Sequence, residues 1–529
     1  MALQIEHPLT YQSTACSFGL YLAFELMQDL HRVFFTSLFL LTGLFDPINA
    51  QDTVLNGRYK GKLDSLHSEA MGQQRLFQVF VPPSWKPGDT STYEVLYVLD
   101  GGNWNTGLVT RIQQFTEGEG NMPPVMVVSI MGIDRNIELT PTRLTTWNAP
   151  TGGAEKFLQF ITHELIPYIG KTYPANGDNT LWGHSLSALF AIYALLNEPT
   201  AFRSFIAVDP SCWWDDNYVP KQAAKKLPSL PGLQATLFVA GREGAALHDM
   251  RIDTMATVLQ KNAPPGLHWK LMTYQDESHS SVRLKSTYDG LRFTYAGIGA
   301  DIELLPAGGR IVKGQPIQLK YFDDTARMHY TLDGSIPTES SPVVPHELPL
   351  SGAATVTYKR FTNRQRLDKT ATAAFTAAEK VLPPLAELKN ATPGGWHYSY
   401  TEANGTRPQT GIALKDFEKT LPRKNSYALT LDGWLQVKED GYHMFFFQGT
   451  RGSKLFIGET LVMQFTDSNH TRSSYILPLS KGFYPLRIEY ADKKEDYTLL
   501  LYWIAPSIMA AMDAVPVPLE QQFSKRRKE

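Results

Sequence analysis

The sequence predicts an α/β fold followed by two all-β sandwich domains. Between about residues 52 and 298, short apolar strand-like runs alternate with helical stretches, which is typical of a mostly parallel sheet covered on both faces. After residue 301 the helical periodicity disappears and short strands with turn signals take its place. At 529 residues the chain is also too long for one core. We therefore expect an α/β domain over 51–300 and β-sandwiches over 301–380 and 386–520.

The strands of the first domain are predicted from uninterrupted apolar runs, which indicate burial on both faces of a sheet. Residues 154–169 instead show helical periodicity. The predicted strands cover residues 77–81, 93–99, 124–130, 180–182, 205–208, 236–240 and 267–274.

The two β domains are predicted from turn and alternation signals. Leu332-Asp333-Gly334-Ser335 is a turn signal in the middle domain, and residues 380–388, with Pro383 and Pro384, form the expected linker. Aromatic, alternating segments then recur in the last domain, at residues 434–437, 442–447, 486–490 and 498–503.

Composition excludes several function classes. A formal charge of −2 argues against a general role with nucleic acid or anionic membranes. The two cysteines, Cys16 and Cys212, are too few for a cysteine-based zinc site, and removal of the N-terminus would leave Cys212 without a disulfide partner. We expect no metal and no cofactor.

The N-terminal 50 residues are predicted to be a leader. Residues 33–45 are apolar and uncharged but too short to span a bilayer comfortably, and the sequence before Gln51 ends in the small residue Ala50. This pattern is typical of a secretory signal cleaved after Ala50, with Met27 as the expected true start; a buried helix is the alternative. The protein is thus expected to be exported, to the periplasm or outside the cell, without a transmembrane segment after cleavage.

The most informative motif is Gly183-His184-Ser185-Leu186-Ser187, which lies between a strand-like run and an apolar helical run. This context is typical of the nucleophile elbow of an α/β-hydrolase, a tight turn that exposes a serine hydroxyl at the edge of the sheet. The usual fifth residue is glycine, and the Ser187 found here is a small replacement. Ser185 is the expected nucleophile.

A serine nucleophile needs an adjacent base, which in α/β-hydrolases follows the last strand. His279 comes directly after the run 267–274 and is the expected base. His268 lies within that strand and is the poorer candidate.

The acid that orients the base is expected in the loop after the preceding strand, where Glu243 stands. Asp249 is a second candidate and Asp209, after the run 205–208, a third. Glu243 beside Arg242 could equally be a solvated ion pair.

The oxyanion of the reaction needs backbone donors. The N–H of Leu186, next to the nucleophile, is the first, and Gly102 in the loop Asp100-Gly101-Gly102-Asn103-Trp104 is the expected second. An ordinary turn is the alternative interpretation of that glycine pair.

Residues 58–298 resemble the esterase family that includes esterase D, feruloyl and acetyl-xylan esterases, mycolyltransferases and enterochelin-type siderophore esterases. The resemblance implies that Ser185 is the nucleophile and His279 the base; because some siderophore-type members work with a dyad, the acid stays open. The matching segments are residues 77–82, 95–101, 134–135, 140–141, 183–187, 209–214 and 277–279.

The Pro-Ser-x-Trp-Trp element within 209–214 is closest to the siderophore-esterase and esterase-D-like branch. The resemblance implies a substrate pocket, for which we nominate Trp213, Trp214, Arg135 and Trp104. Packing beneath a loop is the alternative role of the two adjacent tryptophans.

The later domains resemble accessory modules of secreted proteins. Residues 329–338 resemble the chitobiase C-terminal, immunoglobulin-like domain, and the last domain resembles the protective-antigen-type β-sandwich. The paired aspartates that coordinate calcium in sugar-binding members are missing from the loop at 451–453, so a calcium lectin is not expected. Contact with a polysaccharide or cell wall is a hypothesis for these domains. The segments that match the protective-antigen type are residues 434–437, 441–442, 452–458, 482–486 and 501–503.

Together these features predict a secreted serine carboxylesterase that acts through an acyl-enzyme on a siderophore-type or carbohydrate-linked ester. Two alternatives remain: a sugar acyltransferase, and a glycan-binding surface protein with an inactive hydrolase domain. No nucleic-acid partner is expected.

Overall fold

The computed structural model describes residues 53–55 and 59–525, apart from 300–303, 322–326, 386, 406, 415–425, 467–471 and 493–498. The predicted leader, with Met27 and Ala50, lies outside the described residues. Among the helices that the structure describes, none has both the length and the apolar character needed to cross a membrane.

The first domain is built on a nine-stranded sheet with the order β1-β2-β3-β5-β4-β6-β7-β8-β9. The pairs from β1 to β5 along this order are antiparallel, and those from β5 to β9 are parallel. The strands are β1 (Thr53–Leu55), β2 (Tyr59–Ser68), β3 (Gln73–Phe80), β4 (Tyr93–Gly101), β5 (Val125–Met131), β6 (Ala175–His184), β7 (Ser204–Val208), β8 (Ala235–Arg242) and β9 (Leu267–Tyr274).

Helices cover both faces of this sheet, as a mostly parallel sheet requires. One core contains Phe157, Leu189 and Phe205, and the core on the other face contains Ile112 and Leu291. The α/β fold class predicted for this region is confirmed. The helices are α1 (Asn103–Gly118), α2 (Arg135–Glu138), α3 (Ala154–Gln159), α4 (Ile166–Thr172), α5 (Leu186–Asn197), α6 (Trp214–Lys226), α7 (Ala245–Asp249), α8 (Ile252–Asn262) and α9 (Val282–Thr294), with a π-helical turn at Phe160–Leu165 between α3 and α4 and a 3₁₀ turn at Leu227–Ser229 after α6.

The rest of the described chain is β-rich, as predicted. Its strands are β10 (Gly308–Val312), β11 (Ile317–Lys320), β12 (Met328–Thr331), β13 (Glu347–Leu350), β14 (Ala354–Arg360), β15 (Lys369–Ala378), β16 (Ala391–Pro393), β17 (Trp396–Glu402), β18 (Gln409–Ala413), β19 (Tyr427–Val437), β20 (Gly441–Gln448), β21 (Lys454–Ile457), β22 (Thr460–Gln464), β23 (Arg472–Leu479), β24 (Gly482–Asp492), β25 (Leu500–Ile504), β26 (Val515–Pro516) and β27 (Gln522–Lys525). Short 3₁₀ turns lie at Gln365–Leu367, Pro506–Ala511 and Leu519–Gln521.

One sheet runs through both β-rich regions. Its order is β12-β14-β15-β10-β23-β20-β25-β26, so strands from before and after the expected linker share it. The joint is the parallel pair of β10 and β23, where Gly309 lies opposite Ile476. A Cβ at Gly309 would stand 2.3 Å from an Ile476 methyl carbon, so this approach of the strands needs glycine. The division at 380–386 stays a prediction.

The middle β region contacts the first domain at the starting ends of its strands. Arg364 is buried and donates to Thr180, and its guanidinium lies 3.5 Å from a carboxylate oxygen of Glu94. Arg366 pairs with Glu94 and with Asp178. Glu94 is near the beginning of β4, about 20 Å along the strand from Asp100 at a rise of 3.3 Å per residue. The β-rich half is therefore attached at the end of the sheet opposite the predicted catalytic residues.

Candidate active site

The elbow turn at Ser185 has the geometry that its sequence predicts. Strand β6 ends at His184 and helix α5 begins at Leu186, so Ser185 alone makes the turn, with φ 64° and ψ −118°. This left-handed backbone is rare for a residue with a side chain. A Cβ at Gly183 would stand 2.2 Å from the Ser187 carbonyl oxygen, so only glycine fits there. The turn is held by the Ser185 N–H, which donates to the Val208 carbonyl at 2.9 Å.

Ser187, which replaces the usual glycine, links the elbow to the end of β4. Its buried hydroxyl donates to Asp100 Oδ2 at 2.6 Å and lies 2.8 Å from the His184 carbonyl oxygen. Arg135 forms an ion pair with the same Asp100 oxygen. The serine therefore adds a polar contact that glycine could not make.

His279 lies beside a carboxylate. Its Nδ1 is 2.6 Å from Oδ2 of Asp209, and Arg242 Nε donates to the same oxygen at 2.7 Å. Asp209 is fully buried, and burial alone would raise its pKa. The hydrogen bonds from His279 and Arg242 outweigh that effect, so the net pKa of Asp209 is lowered. The carboxylate stays ionised at neutral pH and can hold the imidazole in one orientation.

The expectation for Glu243 is corrected by this arrangement. Glu243 accepts a hydrogen bond from the Thr273 hydroxyl at 3.1 Å, while Asp209 contacts His279. Asp209 follows β7, the strand next to the elbow strand β6, whereas Glu243 follows β8, one strand farther away. Asp249 ends the short helix α7, and His268 is exposed on β9.

Ser185 and the Asp209–His279 pair meet at one edge of the sheet. Ser185 Oγ lies 3.3 Å from Oγ of Ser211, two residues after Asp209, and the Ser211 N–H donates to the Ser185 carbonyl at 3.2 Å. In the described part of the chain the serine hydroxyl makes this contact and not a hydrogen bond to the imidazole. Such bonds are often long or misaligned before substrate binds.

His184, within the elbow motif, orients the loop that contains His279. Its Nε2 lies 2.7 Å from the His279 carbonyl oxygen, and because a carbonyl only accepts, this nitrogen carries the hydrogen. The two imidazole centroids are 4.5 Å apart. Burial, and then the charge of His279, lower the pKa of His184 to about 3, so its ring stays neutral. His184 belongs to the predicted elbow motif, but its contact with the His279 carbonyl is visible only in the structure.

The two expected oxyanion donors differ in their surroundings. Leu186 is the first residue of α5, where an N–H has no acceptor within the helix, and it directly follows the nucleophile. Gly102 does not keep its N–H available, because it donates to the Thr106 hydroxyl at 3.0 Å. That expectation is corrected: the contact belongs to the start of α1. The N–H groups of the first turn of α1, beginning at Asn103, are the remaining donors there.

The two adjacent tryptophans have different roles. Trp214 is fully buried and donates to the Thr142 hydroxyl at 3.0 Å, so it belongs to the core and not to a substrate pocket, which corrects its nomination. Trp213 is half-buried, with its ring centroid 6.2 Å from that of the partly exposed Trp147. Trp213 can therefore still contact a ligand from one side.

Trp104 follows the carboxyl end of β4 and Arg135 that of β5, so both lie at the same end of the sheet as the elbow. Arg135 is held by its pair with Asp100. Trp104 is 84% exposed and borders a cavity of about 620 Å³. The cavity is lined by Asp100, Gly101, Gly102, Trp104, Asn105, Ser280 and Arg283. Ser280 follows His279 directly in the chain, so the loop that contains the candidate base borders this cavity.

Comparison with known proteins gives two family matches. Residues 68–283 match the model of the family described as "Putative esterase", and residues 396–513 match the PA14 domain model.

Individual relatives match part of the chain. The chain is 26% identical over 248 residues to the ferri-bacillibactin esterase BesA of Bacillus subtilis, covering 42% of this chain and 85% of that protein. It is 36% identical over 77 residues to the siderophore enterobactin esterase of Emericella nidulans, covering 14% of this chain and 25% of that protein. Among solved structures, an IroE-like serine hydrolase from Shewanella oneidensis is 28% identical with a TM-score of 0.42, covering 46% of this chain and 82% of that one.

Proposed function

We propose that the protein hydrolyses carboxylic esters through an acyl-enzyme on Ser185. The proposal starts from the match of the α/β domain to the "Putative esterase" family. The observation that carries the proposal is the 2.6 Å contact between Asp209 and His279 behind the elbow serine. A serine, an imidazole and a buried carboxylate at one edge of a sheet are the groups that acyl transfer needs.

In the proposed mechanism, Ser185 Oγ attacks the ester carbonyl while His279 Nε2 takes its proton. Asp209 keeps Nδ1–H oriented and stabilises the imidazolium that forms. The Leu186 N–H donates to the oxyanion. The imidazolium then protonates the leaving alcohol, and water, activated by the same imidazole, releases the acid from Ser185.

A siderophore-type ester is the substrate class that the relatives favour. The Bacillus protein is named a ferri-bacillibactin esterase and the Emericella protein a siderophore enterobactin esterase, and the match to the Bacillus protein spans 85% of that relative. Carbohydrate-linked esters remain the competing class. Purified protein should be assayed side by side with enterobactin, acetyl-xylan and feruloylated arabinose. Faster turnover of acetyl-xylan or feruloylated arabinose than of enterobactin would contradict the siderophore proposal.

The serine assignment is tested by Ser185→Ala. Wild-type protein is expected to hydrolyse p-nitrophenyl acetate and to react with a fluorophosphonate probe, whereas Ser185→Ala should lose about 10⁶-fold in kcat and all labelling. Ser229→Ala, at an exposed serine far along the chain, is the matched control. Retained hydrolysis by Ser185→Ala would overturn the assignment, and a wild-type protein without labelling would favour a non-catalytic binding role. Acylated sugar as the main product, with a glycan acceptor present, would favour acyl transfer.

We also propose that residues 1–50 direct export, to the periplasm or beyond, and that the β-rich half contacts a polysaccharide or cell wall. The apolar run at 33–45 supports the first idea, and the PA14 match over 396–513 supports the second. N-terminal sequencing of the mature protein should begin at Gln51. Co-sedimentation with insoluble polysaccharide tests the second, and soluble protein at all polysaccharide concentrations would contradict it.

A further inference from the structure

An exposed apolar groove lies between helices α1 and α9, next to the candidate active site. Its cavity volume is about 930 Å³. The apolar side chains that line it are Trp104, Leu108, Ile112 and Phe115 from α1, and Leu284 and Tyr288 from α9. Three of them are open to solvent: Trp104 is 84% exposed, Phe115 59% and Leu284 56%. Large apolar side chains clustered in this way at a surface are typical of a binding site.

The groove adjoins the cavity that Ser280 helps to line. Trp104 borders both, and each helix begins at the catalytic edge of the sheet. Helix α1 starts directly after the end of β4, and α9 starts three residues after His279. Arg283 of α9 donates to Asn105 of α1 at 2.7 Å, which joins the two helices at this end.

The dimensions of the groove fit an extended chain. The side chains on α1 recur at every fourth residue or nearly so, which places them along one face of the helix. Trp104 and Phe115 are separated by about 16 Å along α1 at 1.5 Å per residue. At the far end, the rings of Phe115 and Tyr288 lie 6.3 Å apart. Arg111 of α1 and Lys285 of α9 also line the groove, whereas no carboxylate of the described residues does.

We infer that this groove binds the uncharged apolar arm of the ester substrate, which extends from the reacting carbonyl past Trp104 toward Phe115. The inference rests on the proposed esterase function and specifies the substrate class further: esters with an extended aliphatic or aromatic acyl group. Each methylene group that the groove removes from water raises the binding affinity by up to about fourfold.

The test compares p-nitrophenyl acetate, octanoate and 3-phenylpropanoate as substrates. Acetate is the short reference, whereas octanoate and phenylpropanoate carry an aliphatic and an aromatic arm. We expect kcat/KM to be at least tenfold higher for one of the longer esters than for acetate. In Leu108→Ala and Leu284→Ala that ratio should fall at least threefold, because Leu108 lies one helical turn from Trp104, within reach of these arms. The matched control Leu76→Ala, which removes a leucine that is 47% exposed on β3, should keep the wild-type ratio.

Binding of the free acids, measured by calorimetry on Ser185→Ala protein, gives a readout independent of turnover. Because Arg111 and Lys285 can attract any carboxylate, acetate is the reference ligand. Saturable binding of octanoate or phenylpropanoate that is tighter than that of acetate and weakens in Ser185→Ala/Leu108→Ala supports the inference. The inference is overturned if the kcat/KM ratio of longer ester to acetate is near one in wild-type protein, or if both groove substitutions leave that ratio unchanged. In either case, Ser185-dependent hydrolysis of p-nitrophenyl acetate would still support the esterase function. If no ester is hydrolysed, the proposed function fails, and the calorimetry alone decides whether the groove binds apolar acids.

Discussion

Asp209 Oδ2 and His279 Nδ1 lie 2.6 Å apart although 70 residues separate them along the chain. Asp209 directly follows β7, in a turn with φ 45°, and the loop after β9 brings His279 back across the end of β8 to reach it. Arg242, at the end of β8, donates to the same carboxylate oxygen from between them. The pair therefore depends on three neighbouring strand ends.

Asp209→Asn should lower kcat for p-nitrophenyl acetate by about 10⁴-fold, because an amide holds the imidazole in the wrong tautomer. Glu243→Gln is the matched control. Its side chain contacts Thr273, so we expect its kcat to remain within about twofold of the wild-type value, since exposed polar contacts contribute little. Steady-state kinetics of both variants measures this. A larger loss in Glu243→Gln than in Asp209→Asn would restore Glu243 as the acid.

Gly183→Ala should destabilise the first domain by at least about 2 kcal/mol, because its methyl group would overlap the Ser187 carbonyl oxygen. Gly170→Ala in helix α4 is the control: nothing lies within 4 Å of its added Cβ, so stability should rise by up to about 1 kcal/mol. Urea unfolding followed by tryptophan fluorescence compares the two. Equal stability of both variants would contradict the close contact at the elbow.

Arg364→Met should lower the free energy of unfolding by about 3 kcal/mol, because it leaves the buried Glu94 with one cation fewer. Lys389→Met removes a cation from an exposed pair with Glu387 and should cost less than about 1 kcal/mol. The measurement is guanidinium unfolding at low salt. Similar losses in the two variants would show that the junction at Glu94 is not a stabilising contact.

Acid should destabilise the protein through two buried histidines. Burial lowers the pKa of His184 to about 3 and that of His443 to about 4, below the ordinary value of 6.5. Between these pKa values and 6.5 the unfolded chain therefore binds more protons than the folded protein. The free energy of unfolding has its full value above pH 6.5 and falls as the pH drops toward 4.

His443→Asn keeps an N–H donor for the Gly441 carbonyl but cannot titrate. Between pH 6.5 and 5 this variant should lose about 2 kcal/mol less unfolding free energy than wild-type protein. Chemical unfolding at both pH values measures the difference. The same pH dependence in the two proteins would contradict a neutral His443.

The elbow could be predicted from sequence because it is local: a strand, a turn and a helix within some twenty residues specify the position of Ser185. His279 could be found because it follows the last strand of the domain. Asp209 could not be separated from Glu243, since both follow a strand of the parallel sheet. The path of the loop that carries His279 decides between them, and that path depends on tertiary contacts.

Other differences have the same origin. The Trp214 indole is buried against Thr142, 72 residues away in the chain, and no local pattern predicts that partner. Likewise, the sequence does not show that the Gly102 N–H donates to the hydroxyl of Thr106, one helical turn later, and is therefore not free to bind an oxyanion. The β-rich character of the described residues between 304 and 525 could be predicted from alternation, but the pairing of Gly309 with Ile476 joins segments that are distant in sequence.

The junction at Arg364 and Glu94 has a consequence for how the substrate range of this protein can change. Loops at the opposite rim of the sheet can lengthen, shorten or change composition without altering the surface that anchors the accessory half. Selection on what the enzyme cleaves is thereby separated from selection on how its parts are assembled.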